Sequence, residues 1–248
     1  MPVNPINTSS VHQIRARVNK TLTDGIQIDM STEESKKLLR RHVNTKTHFV
    51  IMITDINKST EMSFLLPEDK FATIIQTFAQ ETSITVAGFG GYVFKYEGDA
   101  VISLFPAEYD KGKACKNALD CSKAVLEVVR GIINPSFKTA GLPEISLRTG
   151  LAYGDALVLI YGKNLQIAHL DIIGSSISMA SKISSLAQAN QILLGELIYN
   201  ILLSTGTEDP VYYKSICREV YLDPAKWNYP SRFDTGSIYR VYEYLETY

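Results

Sequence analysis

Short continuous apolar runs alternate along this chain with longer stretches whose apolar positions recur every three or four residues. The first run, His48–Ile53, has the length of a strand buried on both faces. It leads into the polar stretch Thr54-Asp55-Ile56-Asn57-Lys58-Ser59-Thr60, and from Ser59 the period turns helical until Pro67 breaks it. Glu68–Ala87 predicts a long helix with Phe71, Ile74, Ile75, Phe78, Ile84 and Val86 as apolar positions. Tyr92–Phe94 and Ala100–Phe105 then flank Lys95, Tyr96, Glu97, Gly98 and Asp99, which predicts a β-hairpin turning at Gly98-Asp99. Ala114–Ile133 predicts an amphipathic helix closed by Asn134-Pro135. Strands are expected at Ile145–Ala152 and Leu157–Tyr161, with His169–Ile173 extended. Gly174–Leu186, rich in serine and alanine, predicts a closely packed helix. A strand at Gln191–Leu194, a helix at Gly195–Leu203 and closing strands at Val211–Tyr221 and Ser237–Tyr244 complete the pattern.

Residues 1–46 differ from the remainder, being polar and poor in strand-formers. They are expected to form an N-terminal helical extension to a domain spanning 47–248. Val11–Leu22 carries weak helical patterning. Ser31-Thr32-Glu33-Glu34 predicts a capping box, with Ser31 as N-cap and Glu34 reaching back, ahead of a narrow stripe of Leu38, Leu39 and Val43. Helices and strands interleave and hairpins occur, so the expected class is α+β with a mixed sheet.

Composition narrows the function. The chain has 248 residues, 45% of them hydrophobic, enough for a substantial core. Its net charge of −1 provides no basic field for nucleic acid. Three cysteines cannot all pair, which points to reduced thiols. No apolar run approaches the roughly 18 residues a membrane span needs. A soluble, cytoplasmic protein is expected.

Two acids stand out. Asp55 lies where a buried strand gives way to a helix, a position that also suits a helix cap. Asp99 lies in the hairpin, where turn chemistry alone would explain it. If the two strands are adjacent, both carboxylates converge on a divalent metal. Mg²⁺ suits such a set, because it takes few protein ligands and leaves the rest of its shell to phosphate and water. Asn57, Lys58, Ser59 and Thr60, opening a helix, would offer backbone N–H groups to a phosphate chain.

Several motifs in order resemble the class III nucleotide cyclase catalytic domain. Phe49–Thr60 looks like that family's first metal-binding strand, and Gly91–Phe105 resembles its second, with Lys95 four residues before Asp99. Arg148-Thr149-Gly150-Leu151 with Gly154, Leu170-Asp171-Ile172-Ile173-Gly174, and Ile177–Lys182 resemble the later motifs. The resemblance runs from about residue 47 to 203. It implies a ferredoxin-like domain with a mixed, mostly antiparallel sheet flanked by helices, acting as a head-to-tail homodimer with composite sites. One subunit would supply Asp55, Asp99 and the Ile56 carbonyl to two Mg²⁺ or Mn²⁺. The other would supply Lys95 and Asp171 to the base, and Ser178 and Lys182 to ribose and phosphate. The sequence departs from the family at Ser178, where an asparagine is usual, and at Lys182, where an arginine is usual. Leu159 replaces a common glycine. Lys214, Arg218 and Lys226 are the candidates for a late phosphate-binding cation.

A lysine donor beside an aspartate acceptor matches adenine's ring nitrogen and amine, while guanine presents the reverse at its O6 edge. The leading expectation is therefore an adenylate cyclase acting on ATP. A cyclase for GTP or a pyrimidine nucleotide is the alternative within the enzyme class. A silent nucleotide-binding regulatory domain, motivated by Ser178 and Lys182, is the alternative outside it.

Overall fold

The computed structural model describes residues 8–164, 166–205 and 210–245. Its centre is an eight-stranded sheet of β1 (Lys46–Ile56), β2 (Tyr92–Glu97), β3 (Ala100–Pro106), β4 (Leu147–Tyr161), β5 (His169–Ile173), β6 (Gln191–Gly195), β7 (Cys217–Glu219) and β8 (Val241–Tyr244). The order is β2-β3-β1-β4-β6-β8-β7, and β5 pairs with the far half of β4. Every pairing is antiparallel except β4 with β6. The mixed, mostly antiparallel sheet flanked by helices anticipated from the sequence is the arrangement observed.

β1 is central and buried on both faces, which explains its unbroken apolar run. Val50, Met52 and Ile56 face one core, with α4 (Glu68–Gly88) and α5 (Lys111–Val128) packed over it. Phe49, Ile51 and Ile53 face the other, against α2 (Glu33–Arg40) and α7 (Ser175–Leu186). α3 (Ser59–Leu65) follows β1 directly, and α8 (Glu196–Ser204) follows β6.

The N-terminal α1 (Thr8–Asp24) docks on α4. Val18 enters the first core, and Arg17 grips Glu81 through Nε at 2.8 Å and Nη2 at 2.6 Å. Gln80 joins this contact by donating to Thr21 Oγ1 at 2.8 Å. Residues 1–7 of the expected extension lie outside the described residues.

Several expectations need correction. The capping box does not form: α2 starts at Glu33 with Thr32 at its N-cap and no side-chain cap, and Glu34 pairs instead with Lys37 at 2.6 Å. Asn134-Pro135 does not end the long helix. A π turn at Val129–Ile133 leads straight into α6 (Asn134–Thr139), where Pro135 occupies a first-turn position that needs no N–H. Asn134 instead clamps Ile145, donating to its carbonyl and accepting from its N–H, both at 2.9 Å. The two strands expected between 145 and 161 are one 15-residue strand running through Gly154. A Cβ at Gly154 would lie 3.1 Å from Ser176 Cβ, so this glycine serves the close approach of α7 rather than a break. Val211–Ile216 is helical, within α9 (Pro210–Ile216), and only β7 of the expected strand remains. Tyr213, 2% exposed, is drawn into the core from that helix, so burial overrides local β propensity.

Cys115, Cys121 and Cys217 are free and buried. Burial pushes all three thiols up, Cys217 to about 12. Among the described residues no helix is long and apolar enough to cross a membrane.

Candidate active site

Strand register builds the first cluster. Asp55, near the end of β1, faces Arg148 of β4 across the antiparallel ladder. The guanidinium donates to both carboxylate oxygens, Nε to Oδ1 at 3.1 Å and Nη2 to Oδ2 at 2.8 Å. Burial holds the Asp55 pKa above the ordinary carboxylate value; Arg148 opposes that shift and the nearby charge of Asp99 reinforces it. Asp99 follows Gly98, whose φ of +62° makes the tight turn between β2 and β3. Its Oδ2 accepts the Ile56 N–H at 3.1 Å, which fixes the second carboxylate beside the first.

The next residues turn sharply. The Asn57 N–H is committed to the Ser146 carbonyl at 2.8 Å, so Asn57 does not offer the free amide expected of it. Lys58 adopts the left-handed conformation, with φ +61°. The first bond of α3 runs from Met62 N–H to the Lys58 carbonyl at 3.1 Å, so the amides of Lys58, Ser59 and Thr60 belong to the unbonded set that opens a helix.

The second cluster joins residues 76 positions apart. Lys95 Nζ of β2 donates to Asp171 Oδ1 of β5 at 2.8 Å. The same oxygen accepts the Ile172 N–H at 2.8 Å, while His169 Nε2 stands 3.9 Å from Oδ2. Lys95 lies opposite Ile102, which lies opposite Ile53, two residues before Asp55 on β1. Cross-strand partners share a face, so Asp55 and Lys95 point to the same side of the sheet.

α7 borders this face. Its buried side packs Ala180 and Ser184 against Gly150 of β4, leaving Ser178 and Lys182 exposed one turn apart. Ser178 Oγ donates to the Gly174 carbonyl at 3.4 Å, and Lys182 Nζ lies 5.0 Å over the ring of Tyr229. Of the late cations, Arg218 is tied to Glu243 at 2.6 Å. Arg232 instead lines a cavity of about 150 Å³ with Tyr153, Ser175, Ser176 and Tyr229, and reaches Asp155 at 3.4 Å.

Sequence reasoning noticed Arg148 within a motif but assigned it no contact. The signal is in the register, since Asp55 and Arg148 pair only once β1 and β4 are known to be antiparallel neighbours. Tyr229 and Arg232 carried no signal, lying in an irregular connection.

The donor set suits a hard cation. Asp55 and Asp99 offer carboxylate oxygens close to one another, and no group of three or more His, Cys, Asp or Glu side chains suited to a metal occurs among the described residues. A centre with two carboxylates fits Mg²⁺ or Mn²⁺ completed by phosphate oxygens, and does not fit a closed structural site.

A family model described as the adenylate and guanylate cyclase catalytic domain matches residues 42–220. The chain belongs to that family. A cytidylate cyclase of Escherichia coli is 27% identical over 199 residues, 75% of this chain and 42% of its own length. A uridylate cyclase of Rhodovulum sp. (strain MB263) is 29% identical over 147 residues, 55% of this chain and 58% of its own. The chain thus spans less than two thirds of either relative. Among solved structures, the adenylyl cyclase CyaB from P. aeruginosa aligns with a TM-score of 0.66 at 18% identity, covering 82% of this chain and 96% of that one. The guanylate cyclase domain of RhGC from Catenaria anguillulae, in complex with GTP, aligns at 0.63 and 17%, covering 82% and 100%. At these identities the structural likeness is one of fold.

Proposed function

We propose that this chain is the catalytic domain of a nucleoside triphosphate cyclase and that its substrate is CTP. The ribose 3′-oxygen attacks the α-phosphorus, forming one P–O bond as the bond to the pyrophosphate oxygen breaks. The 3′-hydroxyl proton is lost, and 3′,5′-cyclic nucleotide and pyrophosphate leave. Asp55, Asp99 and the Ile56 carbonyl would hold two Mg²⁺ or Mn²⁺. When bound, these ions acidify the hydroxyl and neutralise charge on the attacking and leaving oxygens. The amides of Lys58, Ser59 and Thr60 receive phosphate oxygens at the start of α3. Ser178 orients the ribose through its hydroxyl, directly or through water. Lys182 places its charge beside the phosphorus. A second copy of the chain completes each site, one copy supplying the carboxylates and the other supplying Lys95, Asp171, Ser178 and Lys182.

The observation that carries the choice of base is the 2.8 Å contact of Lys95 with Asp171. Its donor and acceptor stand side by side, each partly exposed. Cytosine offers an acceptor at N3 next to an amine donor at N4, and adenine offers the same pair at N1 and N6. Uracil and guanine reverse both, leaving the carboxylate against a carbonyl oxygen. The pair thus selects amino bases over keto bases without separating cytosine from adenine. The curated relatives bearing cytidylate and uridylate cyclase names favour a pyrimidine, and CTP satisfies both constraints. ATP is the second reading, since the same two atoms recognise it.

Product analysis with Mg²⁺ or Mn²⁺ and each of ATP, GTP, CTP and UTP tests the proposal. Cyclic CMP is the expected product. Cyclic AMP would move the assignment to the second reading with the site intact, and cyclic UMP or GMP would overturn the role of Lys95 and Asp171. No product from a dimeric, metal-binding sample would turn the proposal towards a silent regulatory domain.

A further inference from the structure

Lys182 is the only charged residue of α7 and sits on its exposed face. A lysine there brings a difficulty: its ammonium is a point charge on a flexible four-carbon stem, without the planar fork that holds a guanidinium in register. In this structure the ammonium lies over an aromatic face, 5.0 Å from the centroid of Tyr229. The negative face of a phenol ring attracts a cation placed in that way.

The ring is itself held firmly. Tyr229 lies in the connection between β7 and β8, which Glu196 at the start of α8 pins from below. The Glu196 carboxylate is 2% exposed and accepts from Ser231 Oγ at 2.9 and 3.0 Å, from Arg232 N–H at 2.8 Å and from Arg240 N–H at 3.1 Å. Tyr239 N–H donates to the Tyr229 carbonyl at 2.8 Å. Buried Trp227 donates its indole N–H to the Tyr239 carbonyl at 2.7 Å and meets the Tyr229 ring nearly perpendicular, with centroids 4.9 Å apart. Backbone and ring are therefore held in place, and the Tyr229 ring presents a face to the lysine.

We infer that Tyr229 is a positioning residue for catalysis: its ring holds the Lys182 ammonium on the active-site face of α7, aimed at the phosphoryl group under transfer. This rests on the reading of Lys182 as the site's cation. It explains how a flexible lysine serves where a preorganised charge is needed, because the ring limits the stem's rotamers before substrate arrives. Tyr229 itself touches no reacting atom.

The test uses the full chain with the nucleoside triphosphate it turns over best. Tyr229→Leu removes the π face and should lower kcat about two- to fivefold with KM unchanged, the fold-change expected of an exposed cation–π contact. Tyr229→Phe keeps the face and should restore wild-type turnover. In a Lys182→Ala background, Tyr229→Leu should have no further effect. Equal losses with and without Lys182, or a Phe variant as slow as the Leu variant, would overturn the inference in favour of simple packing. A second measurement does not depend on turnover. In protein labelled with ¹³C-lysine, the Lys182 ε-methylene signal, assigned through Lys182→Ala, should be shifted upfield by the ring and return on Tyr229→Leu. An unshifted signal refutes the positioning role alone. A wild-type chain that turns over no nucleotide refutes the functional reading, and the role with it, even where the shift is present.

Discussion

Gly150 ties the sheet to the helix that carries Lys182, and replacing it by alanine gives a calculable disturbance. A Cβ at this position would lie 2.2 Å from Ser184 N, 2.7 Å from Ser184 Cα and 2.8 Å from the Ala180 carbonyl oxygen. All three are backbone atoms of α7, so no side chain can rotate out of the way. Contact with Ser184 N falls about 1.2 Å short of the 3.4 Å where ordinary contact begins. Either α7 moves away from β4 by that order, or β4 bends near the start of a fifteen-residue strand. Overpacking of this kind costs about 1–3 kcal/mol, which in a domain of this size lowers Tm by about 2–12 °C. The helix shift displaces Ser178 and Lys182 together, and a misplacement of about 1 Å at a reacting centre costs on the order of 10²-fold in rate. Thermal denaturation and steady-state kinetics on Gly150→Ala measure both effects. Gly88→Ala is the control: its Cβ meets nothing within 4 Å, so stability and kcat should hold. A Gly150→Ala chain with wild-type Tm and kcat would refute the close packing of α7 on β4 and the coupling drawn from it.

Asp55→Asn should abolish metal-dependent turnover while the fold survives, and Asp99→Ala should do the same. The Asp55 pKa is raised in the folded state, so its contribution to stability is complete below the ordinary carboxylate pKa and is lost as pH rises through the raised value. Asn does not titrate, so the Tm of Asp55→Asn relative to wild type should be more favourable at pH 7 than at pH 4; the opposite trend in paired melts would contradict the burial of this group. Mixing Asp55→Ala chains with Lys95→Ala chains should recover about one quarter of wild-type activity, because half of the dimers are mixed and each has one whole site. No recovery would count against shared sites. Arg17→Ala strips the cation from a glutamate that is 2% exposed, and should cost about 2 kcal/mol, less than a fully buried pair because Gln80 still donates to Glu81. A Tm within 1 °C of wild type would show that α1 is not held by this contact.

The parts of the fold that could be read from the sequence were those with a strong local cause. The apolar run of β1 follows from burial on both faces, and the Gly98-Asp99 turn from the one residue that accepts a positive φ readily. The misjudged parts have distant causes. Gly154 looks like a break until Ser176 is packed against it, and Pro135 looks like a terminator until Asn134 is seen holding Ile145. Val211, Tyr212 and Tyr213 have the composition of a strand, yet the core claims Tyr213 from a helix. At the site, Asp55 and Asp99 stood out as acids at the ends of apolar runs. The guanidinium on Asp55 comes from 93 residues away, and the ring under Lys182 comes from a connection with no period at all.

The three buried thiols give the molecule a chemical clock. A thiol alkylates through its thiolate, and burial denies that form to Cys115 and Cys121 on α5 and to Cys217 on β7. Modification therefore waits for the structure to open around each one. All three border the first core, but Cys217, 8% exposed, lies on a three-residue strand at the sheet margin, where opening is local, whereas the α5 pair is fully buried beneath the sheet. Pulsed alkylation followed by mass spectrometry would separate fraying of the edge from loss of the centre in a single sample. It would also show which of the two nucleotide and metal hold shut.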